Sequence, residues 1–287
     1  MLIADKWKDY SIIATGDGYK LERWNFVTLL RPDPQVIWKS ERDILSSDCD
    51  AKYIRSDKGG GKWVFNKPLP DEWTVSYGEL KFKVKPMGFK HTGIFPEQAA
   101  NWDKTAALIK GAGRPISVLN LFAYTGGATC SCLSAGASVC HVDAAKGMVE
   151  RAGENVRLSG LSDRPVRFIV DDCEKFVRRE LRRGKRYDAI IMDPPSYGRG
   201  PGGEMWKIED QLFDFVSLCS SVLSDDPLFF LINSYTTGLQ PQVLDNILSL
   251  TVRKKLARGR VECYEVGLPT EEGVPLPCGA GGIYINE

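Results

Sequence analysis

From residue 116 onward, short apolar runs alternate with longer stretches in which apolar positions recur at helical spacing. Ile116–Leu121, Ser138–Val142, Val166–Val170, Ala189–Met192 and Leu228–Ile232 read as strands. Each is a run of strand length bounded by polar or turn residues. Between them, Ala128–Ala135, Lys146–Leu158, Glu174–Leu181, Asp210–Leu223 and Val243–Leu256 read as helices, and Arg260–Val266 and Gly282–Ile285 as the last strands. Strict alternation of strand and helix predicts an α/β fold, a doubly wound, Rossmann-like parallel sheet covered on both faces. Pro96-Glu97-Gln98 suits the first turn of a further helix reaching about Gly111.

Residues 1–90 have another texture. Aromatic and β-branched runs are broken by turn dipeptides such as Asp17-Gly18 and Tyr77-Gly78, which predicts a smaller β-rich (α+β) N-terminal module. Leu80, Phe82 and Val84 alternate with Lys81, Lys83 and Lys85, the period of a strand with one wet, basic face. Lys58-Gly59-Gly60-Gly61-Lys62-Trp63 reads as a hairpin loop, with Trp63 as an anchor in preference to a base-stacking platform. The second domain would then run over 91–287.

With 287 residues the chain can bury a full core without a metal or disulfide staple. Lys plus Arg, 38, nearly balances Asp plus Glu, 37, so no global field advertises a polyanionic partner, and only a local patch would serve one. Eight cysteines form no CxxC pair, and His91 and His141 have no ligand partners at useful spacing, so no metal site is expected. The absence of an apolar run of spanning length points to a soluble, cytoplasmic protein; oligomeric state is unread.

Chemistry enters through the polar residues at the predicted strand ends. Tyr124-Thr125-Gly126-Gly127 lets backbone approach a ligand, and Asp143 ends the second strand, where a carboxylate can accept both hydroxyls of a ribose. Asp172 can accept from an adenine amino group while capping its helix. Phe122 and Cys173, beside the first and third strand ends, complete the candidate cofactor lining. After the fourth strand comes Asp193-Pro194-Pro195-Ser196-Tyr197, whose prolines force the chain out of the ladder and leave its carbonyls stiff and unpaired at the carboxyl edge of the sheet. An ordinary strand exit would look similar, but four successive strand ends carrying Gly-Gly, Asp, Asp and Asp-Pro-Pro make a site the better reading. A dinucleotide would need Gly-x-Gly-x-x-Gly in the first turn, which Thr125–Cys130 does not supply.

The pieces TGIFPEQAANW, VLNLFAYTGGAT, VDAAKGMVERAGENV, VDDCEKF and DPPSYGRG resemble the large-subunit ribosomal RNA methyltransferases related to the enzymes making 5-methylcytosine and 7-methylguanine. The Asp-Pro-Pro-Ser-Tyr segment also resembles the [DN]PP[YFW] motif of amino-methylating class I methyltransferases. The resemblance implies a class I fold, S-adenosylmethionine as donor and RNA as acceptor. It also implies Phe95 and Gln98 as donor-pocket residues, Asp193, Pro194 and Pro195 as the catalytic loop, and Tyr197 as the ring that stacks on the acceptor. A small-molecule or protein methyltransferase, or a donor-binding protein without catalysis, are the alternatives.

Making 5-methylcytosine requires a cysteine thiolate to attack C6 of the base. The positions where such enzymes carry it hold Ser196 and Ser234, leaving Cys173 and Cys278 as spatial replacements, so nitrogen methylation is preferred. Basic runs at Arg178–Arg186 and Arg253–Arg260 fall between helix ends and strand starts, on the amino edge of the sheet, where the helix dipole favours cations. Arg199 and Lys207, following the catalytic loop, are better candidates for phosphate contacts.

Overall fold

The structure, a computed structural model, describes residues 1–56, 60–199, 205–236 and 238–287, apart from the side chains of Phe89 and Arg199. Part of the 58–63 loop therefore lies outside the described residues, as do the Arg199 side chain and Gly200. The chain forms two compact units, Met1–Ala100 with Val266–Cys278, and Asn101–Glu265 with Gly279–Glu287.

The first unit contains β1 (Leu2–Ile3), β2 (Tyr10–Gly16), β3 (Tyr19–Trp24), β4 (Val27–Pro32), β5 (Ala51–Arg55), β6 (Gly61–Phe65), β7 (Trp73–Tyr77) and β8 (Leu80–Val84). Strands β2 to β6 make one sheet in chain order, and β7 and β8 a separate antiparallel pair. In β8 the alternation is literal: Leu80, Phe82 and Val84 are buried and Lys81 is exposed. Trp63 is an anchor, donating its indole N–H to the Met87 carbonyl at 2.7 Å and packing edge-on against Tyr53.

This unit also buries a charge network. Glu22, fully buried, accepts from Arg31 Nε at 2.5 Å, from Arg31 Nη2 at 2.8 Å and from the Tyr10 hydroxyl at 2.7 Å. Arg31 lies over the Trp24 ring and donates to the Lys90 carbonyl. Burial alone would raise the Glu22 pKa, but the attraction of Arg31 and Lys20 outweighs it and brings it to about 2.

Seven further strands build the second unit's sheet: β9 (Ser117–Leu121), β10 (Ser138–Asp143), β11 (Val166–Val170), β12 (Ala189–Met192), β15 (Phe229–Ser234), β16 (Arg260–Leu268) and β17 (Leu276–Ile285). A small antiparallel hairpin, β13 (Tyr197–Arg199) with β14 (Met205–Lys207), stands apart from it. The order is β1-β16-β17-β15-β12-β9-β10-β11, where β1 pairs Leu2 with Val266 and Ile3 with Gly267, the part of β16 that belongs to the first unit. Helices α1 (Ala99–Gly111), α2 (Gly127–Ser134), α3 (Lys146–Leu158), α4 (Cys173–Arg182), α5 (Ile208–Ser220) and α6 (Pro241–Leu248) accompany it. Strand β12 is central and buried at all four positions, which is why its sequence is an unbroken apolar run. Leu119, Leu121, Val142, Phe176, Ile190 and Phe230 pack in one core cluster around it.

Three expectations are corrected. The sheet is not wholly parallel, because β17 runs antiparallel to β15, pairing Phe229 with Ile285 and Ser234 with Ala280. The expected helix Val243–Leu256 begins at Pro241 and changes to a π-helical turn over Ser249–Arg253, where the Thr251 hydroxyl donates back to the Ile247 carbonyl at 2.6 Å. The hairpin after Asp-Pro-Pro carries no alternating pattern in sequence and was not expected.

No helix of the described residues is long and apolar enough to cross a membrane. All eight cysteines are free thiols.

Candidate active site at the carboxyl ends of the strands

The chain leaves β9 in a tight, strained turn. Phe122 and Tyr124 sit at φ 52° and 50°, a region bulky residues seldom adopt, and Gly126 follows at φ 84°. Several bonds hold this conformation. The Ala123 N–H donates to the Val142 carbonyl at 3.1 Å, and the Phe122 N–H to Cys173 Sγ at 3.3 Å. Asn155 donates to the Thr125 carbonyl at 2.9 Å. Glycine is needed twice: a Cβ at Gly126 would stand 2.9 Å from the Ala152 Cβ, and one at Gly127 would enter the Trp102 indole. Below the turn, Asn120 donates to the Thr129 hydroxyl and that hydroxyl meets His141 Nδ1, both at 2.9 Å. Burial lowers the His141 pKa to about 4, so the ring is neutral.

Asp143 ends β10 and faces this turn. Its Oδ2 accepts from the Tyr124 N–H at 2.9 Å and its Oδ1 from the Ala145 N–H at 2.8 Å. Burial raises its pKa, and the two N–H bonds act against that rise. A carboxylate has about four lone-pair sites and this one spends two on backbone. The remainder suits a pair of hydroxyl donors. Asp171 and Asp172 end β11: Asp172 Oδ1 caps α4 by accepting from the Lys175 N–H at 2.9 Å, while Asp171 is paired with Arg179. That pairing corrects one expectation, because Arg179 of the basic run reaches a carboxyl strand end. Among the other cations of the two runs, Arg178 pairs with Glu174, Arg183 with Glu180, and Arg258 with Asp226.

After β12, the Asp193 N–H donates to the Leu121 carbonyl at 3.4 Å, keeping the Asp-Pro-Pro exit beside the β9 turn. Asp193 is half-buried and Pro194 buried. The Pro195 carbonyl is not unpaired as expected, since it accepts from the Trp206 indole N–H at 2.6 Å. Trp206, on β14, also packs against Phe122 and Phe215 at centroid distances of 5.6 and 5.7 Å, linking the loop to the β9 turn. Ser196 and Thr236 share a 2.6 Å hydrogen bond, which ties the loop after β12 to the loop after β15. Tyr197 keeps 51% of its surface exposed. Sequence reasoning missed Trp206, Thr236 and Asn155; only an aromatic beside the loop hinted at the first.

Phe122, Tyr124, Thr125, Gly126, Gly127, Asp143, Asp172, Cys173 and Asp193 thus gather at neighbouring strand ends of the second unit. Phe95 and Gln98 belong to the first unit, where the Gln98 N–H donates to the Phe95 carbonyl and Phe95 packs edge-on against His91.

Residues 49–210 match the family model of S-adenosylmethionine-dependent methyltransferases. The chain belongs to this family. A solved S-adenosylmethionine-dependent methyltransferase from Agrobacterium tumefaciens is 32% identical to it, superposes with a TM-score of 0.91, and is matched over 100% of this chain and 94% of its own. Among curated relatives, ribosomal RNA large subunit methyltransferase K/L of Methylococcus capsulatus is 32% identical over 51% of this chain and 19% of its own length. Ribosomal RNA large subunit methyltransferase I of Alteromonas mediterranea is 28% identical over 60% of this chain and 40% of its own. The methyltransferase thus spans less than half the length of these two relatives. S-adenosylmethionine supplies the methyl as a sulfonium, and the carboxylate and backbone donor set at the strand ends fits its adenosine.

Proposed function

We propose that this methyltransferase acts on RNA, with large-subunit ribosomal RNA as the acceptor class, in the cytoplasm, and that it methylates a nitrogen rather than cytosine C5. Asp143 would hold the ribose hydroxyls and Asp172 the adenine amino group. Asp193 would orient the acceptor amine while Tyr197 stacks on its ring. The names of the curated relatives support the acceptor class. The chemistry rests on one observation, the lack of a poised thiolate. Ser196 lies in the loop after β12 and Ser234 ends β15, and burial pushes the thiols of Cys173 and Cys278 far up, away from the nucleophilic form. A nitrogen lone pair attacking the donor's methyl in line needs positioning more than it needs a base.

RNA containing 5-fluorocytosine tests the reading. The expected outcome is methyl transfer to unmodified RNA, no covalent enzyme–RNA adduct on the fluorinated RNA, and retained activity in Cys173→Ala and Cys278→Ala. A denaturation-resistant adduct abolished by one of those substitutions would restore the cytosine C5 reading. Methylation profiling of ribosomal RNA from a deletion strain should show one lost modification, and an unchanged profile counts against this acceptor.

A further inference from the structure

Near the carboxyl end of β15 a buried amide is only half used. Asn233 keeps 3% of its surface. Its Oδ1 accepts from Asn101 Nδ2 at 2.8 Å, and Asn101 Oδ1 in turn accepts from the Tyr264 hydroxyl at 2.7 Å. This chain fixes which end of the Asn233 amide faces Asn101. The other end, Nδ2, is a donor with no partner among the described residues. Nor is it sealed in the core, since the enclosed side-chain atoms without a partner are Trp24 Nε1, Thr92 Oγ1 and His141 Nε2. The sliver of surface that Asn233 retains therefore includes this nitrogen. A buried amide with its donor end unused and accessible calls for an acceptor from outside the chain.

The neighbouring elements set this amide in place. Asn233 pairs across the sheet with Gly281 of β17, where a Cβ would stand 2.7 Å from the Tyr264 ring. The missing side chain leaves the space through which Tyr264 reaches Asn101. Lys104, one turn further along α1, lies 5.5 Å from the centre of the same ring and pairs with Glu262. Strands β12 and β15 are in register at Met192 and Ile232, both of which point into the core cluster. One residue further on, Asp193 and Asn233 stand side by side on the opposite face, at the carboxyl edge of parallel strands about 4.8 Å apart. All of these residues belong to the second unit. A carboxylate beside an N–H donor matches one kind of nucleobase edge, with an amine for the carboxylate and a neighbouring ring nitrogen for the amide.

On the reading that the acceptor is an RNA amine, we propose that Asn233 is a specificity-determining residue of the acceptor site. Its Nδ2 donates to the ring nitrogen next to the amine that is methylated, and Asn101 and Tyr264 are the positioning residues that orient it. The acceptor is thereby a base with an N=C–NH2 edge, methylated on its exocyclic amine and not on a ring nitrogen such as guanine N7. A site built to donate a hydrogen bond also rejects an analogue that cannot accept it.

Methyl transfer from S-adenosylmethionine to large-subunit ribosomal RNA of a deletion strain tests this, with donor affinity followed by calorimetry. Asn233→Ala should lower kcat/KM for the RNA by about tenfold to a hundredfold while donor affinity stays unchanged. A merely structural role would be blind to the chemistry of the base. The second substrate is therefore an oligonucleotide carrying the target nucleotide, compared with its deaza counterpart, in which the ring nitrogen beside the amine is C–H. The wild-type enzyme should lose a similar factor on the deaza base, and Asn233→Ala should lose nothing further, because both changes remove the same bond. Tyr264→Phe, which removes only a hydroxyl, should narrow the preference for the natural base. A fully active Asn233→Ala, a variant that keeps the wild-type preference, or a product methylated on a ring nitrogen would overturn the inference and leave the RNA reading standing. A wild-type protein that methylates no RNA would overturn both.

Discussion

Asp143 and Asp193 end neighbouring strand systems yet have different partners, so their removal should be felt in different steps. Asp143→Ala is expected to lose about 1.5–3 kcal/mol of S-adenosylmethionine affinity by calorimetry, the range for hydrogen bonds to a charged acceptor. It also frees the Tyr124 and Ala145 N–H groups that the carboxylate now holds. Asp193→Ala should depress turnover far more than donor binding, because its proposed partner is the acceptor amine. Equal losses in both variants and both measurements would show that one carboxylate has been given the other's role. At this scale, the strand-end acids and glycines were legible because each residue type does at a strand end something it does nowhere else. Asn155, Thr129 and His141 were not legible. Their work is to hold a strained turn from beneath, and a buried polar residue inside an apolar run carries no mark of the backbone it supports.

Among the elements, strands and helices between 116 and 234, apart from β13 and β14, could be read to within a few residues, because sheet burial on both faces writes itself as unbroken apolar runs. What followed was harder. Nothing in the composition of Leu276–Ile285 distinguishes an antiparallel strand from a parallel one, since direction depends on the route of the chain and not on side-chain period. The β13–β14 hairpin is three residues a side and gives no periodicity to detect. It nevertheless has mechanical importance, because Trp206 is its link to the Asp-Pro-Pro loop. Trp206→Phe keeps the ring against Phe122 and Phe215 but removes the donor to the Pro195 carbonyl. The expected result is a fold stability changed by about 0.5–1.5 kcal/mol together with a larger fall in turnover. Denaturation and steady-state kinetics on the same preparation would separate the two effects. An unchanged turnover would mean that the loop is positioned without its tryptophan.

For the whole molecule, acid stability is set in part by the first unit's buried charge network. Glu22 has a pKa lowered from 4.5 to about 2 in the folded chain, despite burial, by Arg31 and Lys20. Its contribution is fully present above the unfolded value and is lost as pH falls through the folded one. Between about pH 4.5 and 2 the network should therefore forfeit ~3 kcal/mol. Denaturant titrations of wild type and Glu22→Gln at pH 7, 4 and 2.5 would show it: the gap between them should narrow as the solution becomes more acidic, and a gap independent of pH would contradict the linkage. The return of Val266–Cys278 to the first unit has a different consequence. That unit needs this segment, and β17 supplies the neighbour between β15 and β16. A ribosome that has released residues 1–265 has completed neither unit, although it has already exposed most of the apolar surface of both. The nascent chain must keep that surface from other chains until the late strand arrives, and the lifetime of this interval is set by translation speed.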